Sequence, residues 1–137
     1  MRPRAVGLLI VMMILATGAF GIGAALEKAT APPAIGEMVL GVNPESIPLI
    51  AAALVGSLAL TGAVWLYWRR PIVGWLAGAA MAAFALLDLV EFVHQGSEQH
   101  PTLVGVAGVV TLLHAAAAMI AIRVATTGPS SAPQSVA

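Results

Sequence analysis

The chain contains no cysteine, which excludes disulfides, thiolate metal ligands, thiol nucleophiles and CxxC redox chemistry. Charge is nearly as scarce. Lys+Arg 6 and Asp+Glu 6 make up 9% of the 137 residues, against about 25% in a soluble domain. The two signs cancel to a formal charge of +0, so there is no basic excess for a polyanion, and nucleic acid is excluded as a partner. Also missing are a glycine-rich phosphate loop, an HExxH helix and a G-x-S-x-G elbow, and no serine has a histidine and a carboxylate at a recognisable spacing. The expectation is a protein without catalytic residues and without a cofactor.

What the chain has in abundance is apolar surface: 60% of it is hydrophobic and its mean hydropathy is +0.98. A helix rising about 1.5 Å per residue crosses a hydrocarbon core of about 30 Å with about 20 mainly apolar residues. Four segments reach that length. Residues 5–26 carry no charge and only Thr17 as a polar side chain, and residues 47–68 are again uncharged. The third segment, from Pro71, is uncharged through Leu87 and continues its helical pattern through Asp88 and Glu91 to Gln95; residues 102–122 contain one titratable group, His114.

Local punctuation sets the limits. Asn43, Pro44 and Glu45 read as an N-cap, a first-turn proline and an early carboxylate, Gly96 as the residue closing helix three, and Pro101 as the opening of helix four. Arg69, Arg70 and Pro71 leave only a tight hairpin between helices two and three, which must be antiparallel neighbours. The expected fold is an all-α membrane protein, a four-transmembrane-helix bundle. Its helices span about residues 5–27, 44–68, 71–95 and 101–123 of a single domain, 1–125, followed by a Ser/Pro/Thr-rich tail, 126–137, expected to be disordered in the cytoplasm.

Orientation follows from the twelve charges. With four crossings, Arg2, Arg4, Arg69, Arg70 and Arg123 share one side, which has no acid. Glu27, Lys28, Glu37, Glu45, Asp88, Glu91 and Glu98 lie on or near the other. The positive-inside rule then puts both termini in the cytoplasm of a bacterial inner-membrane protein, with Trp65, Tyr67, Trp68 and Trp75 as an aromatic belt at the arginine hairpin. A basic start and small residues at positions 24–31 also offer a cleaved signal peptide. The apolar run is longer than the usual h-region of about 7–15 residues, so helix one is expected to be retained. In the loop after it, residues 35–42 are apolar enough to lie on the membrane or cap the bundle.

Lipid supplies no hydrophobic drive between helices, so small residues mark the packing faces. They recur at Thr17, Gly21 and Ala25; at Ala53, Ser57 and Thr61; at Gly74, Gly78 and Ala82; and, with His114, at Ala107, Thr111 and Ala118. Such faces suit a compact bundle, and equally docking onto other membrane-protein subunits or a second copy; the lipid bilayer is the one partner every reading requires.

Chemistry concentrates at the acidic end of helix three. Glu91 and His94 form a Glu-x-x-His pair, the spacing by which one helix offers a carboxylate and an imidazole to a divalent metal at the outer rim; a di-metal bundle would need a second such motif, and there is one. Asp88 lies about two turns inside the helix end, where a carboxylate must be paired, protonated or hydrated, and Lys28 snorkelling from helix one is its expected partner. His114, nine residues before Arg123 and about 13 Å deep, is expected to hydrogen-bond Thr111, Thr61 or Ser57. Counted from the ends of their helices, Asp88 and His114 differ in depth by about 10 Å, which is too far for them to be direct ligands of one metal, although long side chains and a water could connect them as a proton path. Haem is disfavoured because His94 and His100 lie at the surface, far above His114. The leading expectation is a small non-catalytic accessory or scaffold subunit. The alternative is a transport or proton- or metal-handling protein using Asp88, Glu91, His94 and His114.

Overall fold

Four helices carry nearly all of the structure, a computed structural model that describes residues 2–30 and 46–127. They are α1 (Arg2–Thr30), α2 (Ile47–Tyr67), α3 (Pro71–Ser97) and α4 (Pro101–Thr126), with no strand among the described residues. Each is long and apolar enough to cross a membrane, and the chain is a multi-pass membrane protein. At about 1.5 Å per residue the 21 residues of α2 match the hydrocarbon thickness, whereas the 29, 27 and 26 of the others exceed it and lift their charged ends toward water or tilt the helices.

Each helix start after the first has proline in its opening turn, where the missing N–H has no intrahelical acceptor to lose. Helix two begins at Ile47 after an extended Ser46, so Pro48, not Pro44, sits in its first turn. Asn43 to Glu45, the loop residues 35–42 with Glu37, and the tail beyond 127 lie outside the described residues. At the other end of α3 the helix passes through Gly96 and stops at Ser97. The left-handed residue is Gln99, φ 59°, whose N–H reaches the Gly96 carbonyl (3.3 Å) while that of His100 reaches Gln95 (3.2 Å). This paired closure ordinarily uses glycine at the position of Gln99, and it delivers His100 back onto Gln95.

The helices form a ring in chain order, with α3 and α4 in the most extensive contact, then α1 and α4, then α1 and α2. Helices α2 and α3, though joined by the hairpin, touch least. The α3–α4 seam is antiparallel and rests on missing side chains: a Cβ on Gly74 would lie 2.9 Å from that of Ala125, and one on Gly78 would lie 3.0 Å from Ile122. Gly74 and Gly78 thus serve as the small-residue face expected of helix three. Its third member, Ala82, is exposed, and Met81 turns inward instead.

Burial divides the bundle along its axis. The apolar core, including Leu9, Met13, Val64, Ala77, Met81, Ala117 and Ala121, lies on the side of the arginines, and Leu9, Met13 and Met81 are 0% exposed. Toward the acidic end the packing loosens. In α2 only Ser57, Thr61 and Val64 are buried, and nothing between residues 47 and 56 is. Exposed Leu8, Val11, Leu58, Leu66, Leu86, Val93, Leu112 and Met119 cover the outside, the surface a lipid-facing protein presents. At the hairpin the guanidinium groups of Arg69 and Arg70 stand 5.3 and 5.8 Å from the rings of Trp68 and Tyr67, holding charge beside the aromatic belt.

Candidate functional site

The polar side chains in the middle of the four spans converge where the tight half of the bundle meets the loose half. Asp88 of α3 and His114 of α4 are buried, and His114 Nδ1 lies 2.5 Å from Asp88 Oδ2. This is the one ion pair among the described residues. Phe84, one turn from Asp88, tilts its ring over the imidazole with centroids 5.3 Å apart. The second ring nitrogen, Nε2, has no hydrogen-bond partner among the described residues, and the imidazole borders a small cleft shared with Ser57, Thr17 and Phe20.

Two expectations are corrected here. Asp88 takes its partner from α4 and not from Lys28, which is exposed at the acidic end of α1. The 10 Å separation in depth also fails, because it measured α3 and α4 from chain landmarks that do not lie at the same level. The seam sets Gly74 opposite Ala125; from that level Asp88 is about 21 Å along α3 and His114 about 16 Å along α4, a difference of about 5 Å. Side chains lean toward the N-terminus of their own helix. In antiparallel helices Asp88 leans toward the arginine end and His114 toward the acidic end, and the remaining gap closes.

The hydroxyls expected to serve His114 are engaged elsewhere. Thr111 donates to the Ala107 carbonyl (2.8 Å) and Thr61 to that of Ser57 (2.8 Å). Thr17 Oγ1 donates to the Met13 carbonyl (2.7 Å) and lies 2.6 Å from Ser57 Oγ. A hydroxyl has one proton; with that of Thr17 committed to Met13, Ser57 must be the donor to Thr17, which leaves the lone pairs of Ser57 facing the cleft. The space there is about 10 Å³ for the centre of a water-sized sphere, roughly the room one water needs. Asp88, His114, Ser57 and Thr17 thus bring one polar group from each helix to one level.

A second network lies nearer the acidic end. Gln95, 4% exposed, donates through Nε2 to Glu91 Oε1 (2.6 Å) and to Glu27 Oε1 (3.4 Å), while its Oε1 faces His100 Nδ1 at 3.1 Å. Glutamine has both a donor and an acceptor to offer, and this one ties α3 to α1 and to the start of α4. Of the candidate metal pair, Glu91 is thus held by Gln95, and His94 is half-buried. No three His, Asp or Glu side chains converge among the described residues. Gln95 is the residue sequence reasoning undervalued. Its signal is that Asp88, Glu91 and Gln95 share one face of α3 within about 60°.

The chemistry open to the central pair is a proton transfer. With Nδ1 bound to Asp88, the pair is neutral when Nε2 carries a proton and has one negative charge when it does not. Gain or loss of that proton changes the charge of the bundle interior by one unit without breaking the bond to Asp88. Compared with family models, curated proteins and solved structures, the chain matches none.

Proposed function

We propose that this is a small proton-handling protein of the bacterial inner membrane, with both termini in the cytoplasm and the Asp88–His114 pair as its protonatable centre. The observation that carries the reading is the direct 2.5 Å contact of two titratable side chains buried inside the spans, where lipid makes an ionisable group expensive and an unpaired one more so. His114 Nε2 beside the cleft is where the proton is gained and lost. The inward-facing assignment of the termini rests on the arginines at the hairpin and helix ends; a fluorescent reporter that matures only in the cytoplasm, fused at the C-terminus, is expected to be bright. A dark fusion at normal expression would reverse the orientation.

The test of the centre is a proton count. Between about pH 4 and 9, the wild type in nanodiscs is expected to take up one more proton per chain than the variant with Asp88→Leu and His114→Leu together, since that variant removes one carboxylate and one imidazole but the pair shares a proton throughout. Uptake larger by two would mean that the two groups titrate independently, and equal uptake that the pair does not titrate; either rejects the reading.

The accessory or scaffold reading is favoured by a different observation. The first half of α2 buries nothing and exposes Ile47, Leu49 and Val55, a surface that another subunit's helix would cover as readily as lipid. Photo-cross-linking from Val55 in membranes, followed by mild-detergent isolation with mass and metal analysis, is expected to give one defined adduct if this reading holds, and only lipid adducts if it does not.

A further inference from the structure

We infer that the Asp88–His114 centre communicates with the acidic face of the bundle alone, so that it reads the proton activity of one side and does not conduct across the membrane. The inference rests on the proton-handling reading above and adds a direction to it. Three observations carry it.

On the arginine side of the polar level every helix contributes to a dry plug. Leu9 and Met13 from α1, Val64 from α2 and Met81 from α3 are 0–2% exposed, and Ala117 and Ala121 of α4 complete the layer at 0%. Apart from Tyr67, which is exposed beside Arg70, no titratable side chain lies between this layer and the arginines among the described residues. The hydroxyl line from Ser57 through Thr17 ends on the Met13 carbonyl, and the Thr61 hydroxyl, one turn nearer the arginines, gives its proton back to the Ser57 carbonyl. Among the described residues the hydrogen bonds form no continuous relay in that direction.

On the acidic side the opposite holds. The cleft beside His114 is bordered next by Leu54 and Ala53, one turn toward the acidic end, and from there outward α2 buries nothing. On α3, Asp88 is followed by Glu91 and then Gln95 along one face, and these lead to Glu27 and His100 at the rim. Among the described residues the charged or titratable groups on this side of the centre are Glu91, His94 and Glu98 from α3, Glu27 from α1 and His100 at the start of α4, of which Glu91, Glu27 and His100 are joined through Gln95. From α2 there is none, and Lys28 is exposed. On the acidic side only α4, with Leu103, Ala107 and Val110, keeps buried apolar side chains, and polar groups line α3 up to the rim, so this is the side from which water reaches the cleft; the closed apolar layer excludes it from the other.

The experiment reads His114 directly. In a His94→Gln and His100→Gln background it is the only imidazole, and its Nε2 resonance in proteoliposomes reports whether that nitrogen is protonated. Orientation is fixed by Thr127→Cys, a unique thiol at the arginine end that an impermeant reagent labels from one side. With the two sides buffered separately, the resonance is expected to shift when pH changes at the acidic face and to stay in place when it changes at the arginine face. Response to the arginine face, or to both, overturns the one-sided access while leaving the protonatable centre intact. Response to neither across about pH 4 to 9 rejects the centre itself. Met81→Ser, which places a hydroxyl in the plug, is expected to add a response to the arginine face; a Met81→Ser protein that still folds and remains closed on that side would show that the plug is not the barrier.

Discussion

The contact between Asp88 and His114 makes a quantitative claim that a double-mutant cycle can break. Replacing His114 with leucine leaves a buried carboxylate between α3 and α4 with no cation or donor in reach. Removal of one member of a buried ion pair costs about 3–5 kcal/mol, and a lone aspartate at the centre of a membrane helix about 2.5–3.5 kcal/mol, so about 3 kcal/mol is expected. Asp88→Leu leaves a neutral imidazole without its acceptor, a loss of about 1–3 kcal/mol. The double variant leaves neither orphan. Two leucines facing each other beside Phe84 are apolar groups in an apolar layer, and exchanging a buried pair for such residues is often neutral or stabilising. The double variant is therefore expected to lose less than about 1 kcal/mol, and to be more stable than either single variant. The three tryptophans, all in the aromatic belt at the arginine hairpin, provide a fluorescence signal for reversible unfolding in mixed micelles. If the double loss equals the sum of the single losses within about 0.5 kcal/mol, the two side chains are not coupled and the site described above does not exist.

Two further outcomes test the packing that positions the site. Gly74→Ala places a Cβ 2.9 Å from that of Ala125 and is expected to destabilise the α3–α4 seam by about 1–3 kcal/mol, whereas Gly62→Ala, with nothing within 4 Å, is expected to be neutral or stabilising by up to about 1 kcal/mol; unfolding of the two variants side by side decides this. Gln99→Gly relieves a left-handed backbone at φ 59° and is expected to stabilise by about 1 kcal/mol, read as a raised midpoint in thermal or detergent unfolding. A lowered midpoint would mean that the Gln99 side chain contributes more than its backbone strain costs.

Much of this architecture is legible in residue order. The four spans are read from long uncharged runs, because a bilayer admits few backbone structures and nearly fixes their length. The tight hairpin follows from Arg69, Arg70 and Pro71, and the isolation of Asp88 and His114 as titratable groups within apolar helices is visible in the chain itself. Helix ends are read less well, since capping signals at Asn43 and Gly96 compete with neighbours, Ser46 and Gln99, that suit the same geometry. Gln95 escapes notice as a site residue because an amide becomes important only when carboxylates from two helices reach it.

The partnership of Asp88 and His114 lies beyond what order along the chain can specify. Residue numbers give a depth along each helix, but the relative height of α3 and α4 depends on where Gly74 accepts Ala125, and the direction in which each side chain leans depends on the helices running oppositely. The same holds for the unequal halves of the bundle: composition is apolar throughout, and only side-chain interlocking packs the arginine half around a buried core while leaving the first half of α2 with no buried residue. Hydrophobicity along a chain decides that helices enter a membrane. Which of their polar groups meet is decided by steric fit between helices, a property of pairs of surfaces that no single segment contains.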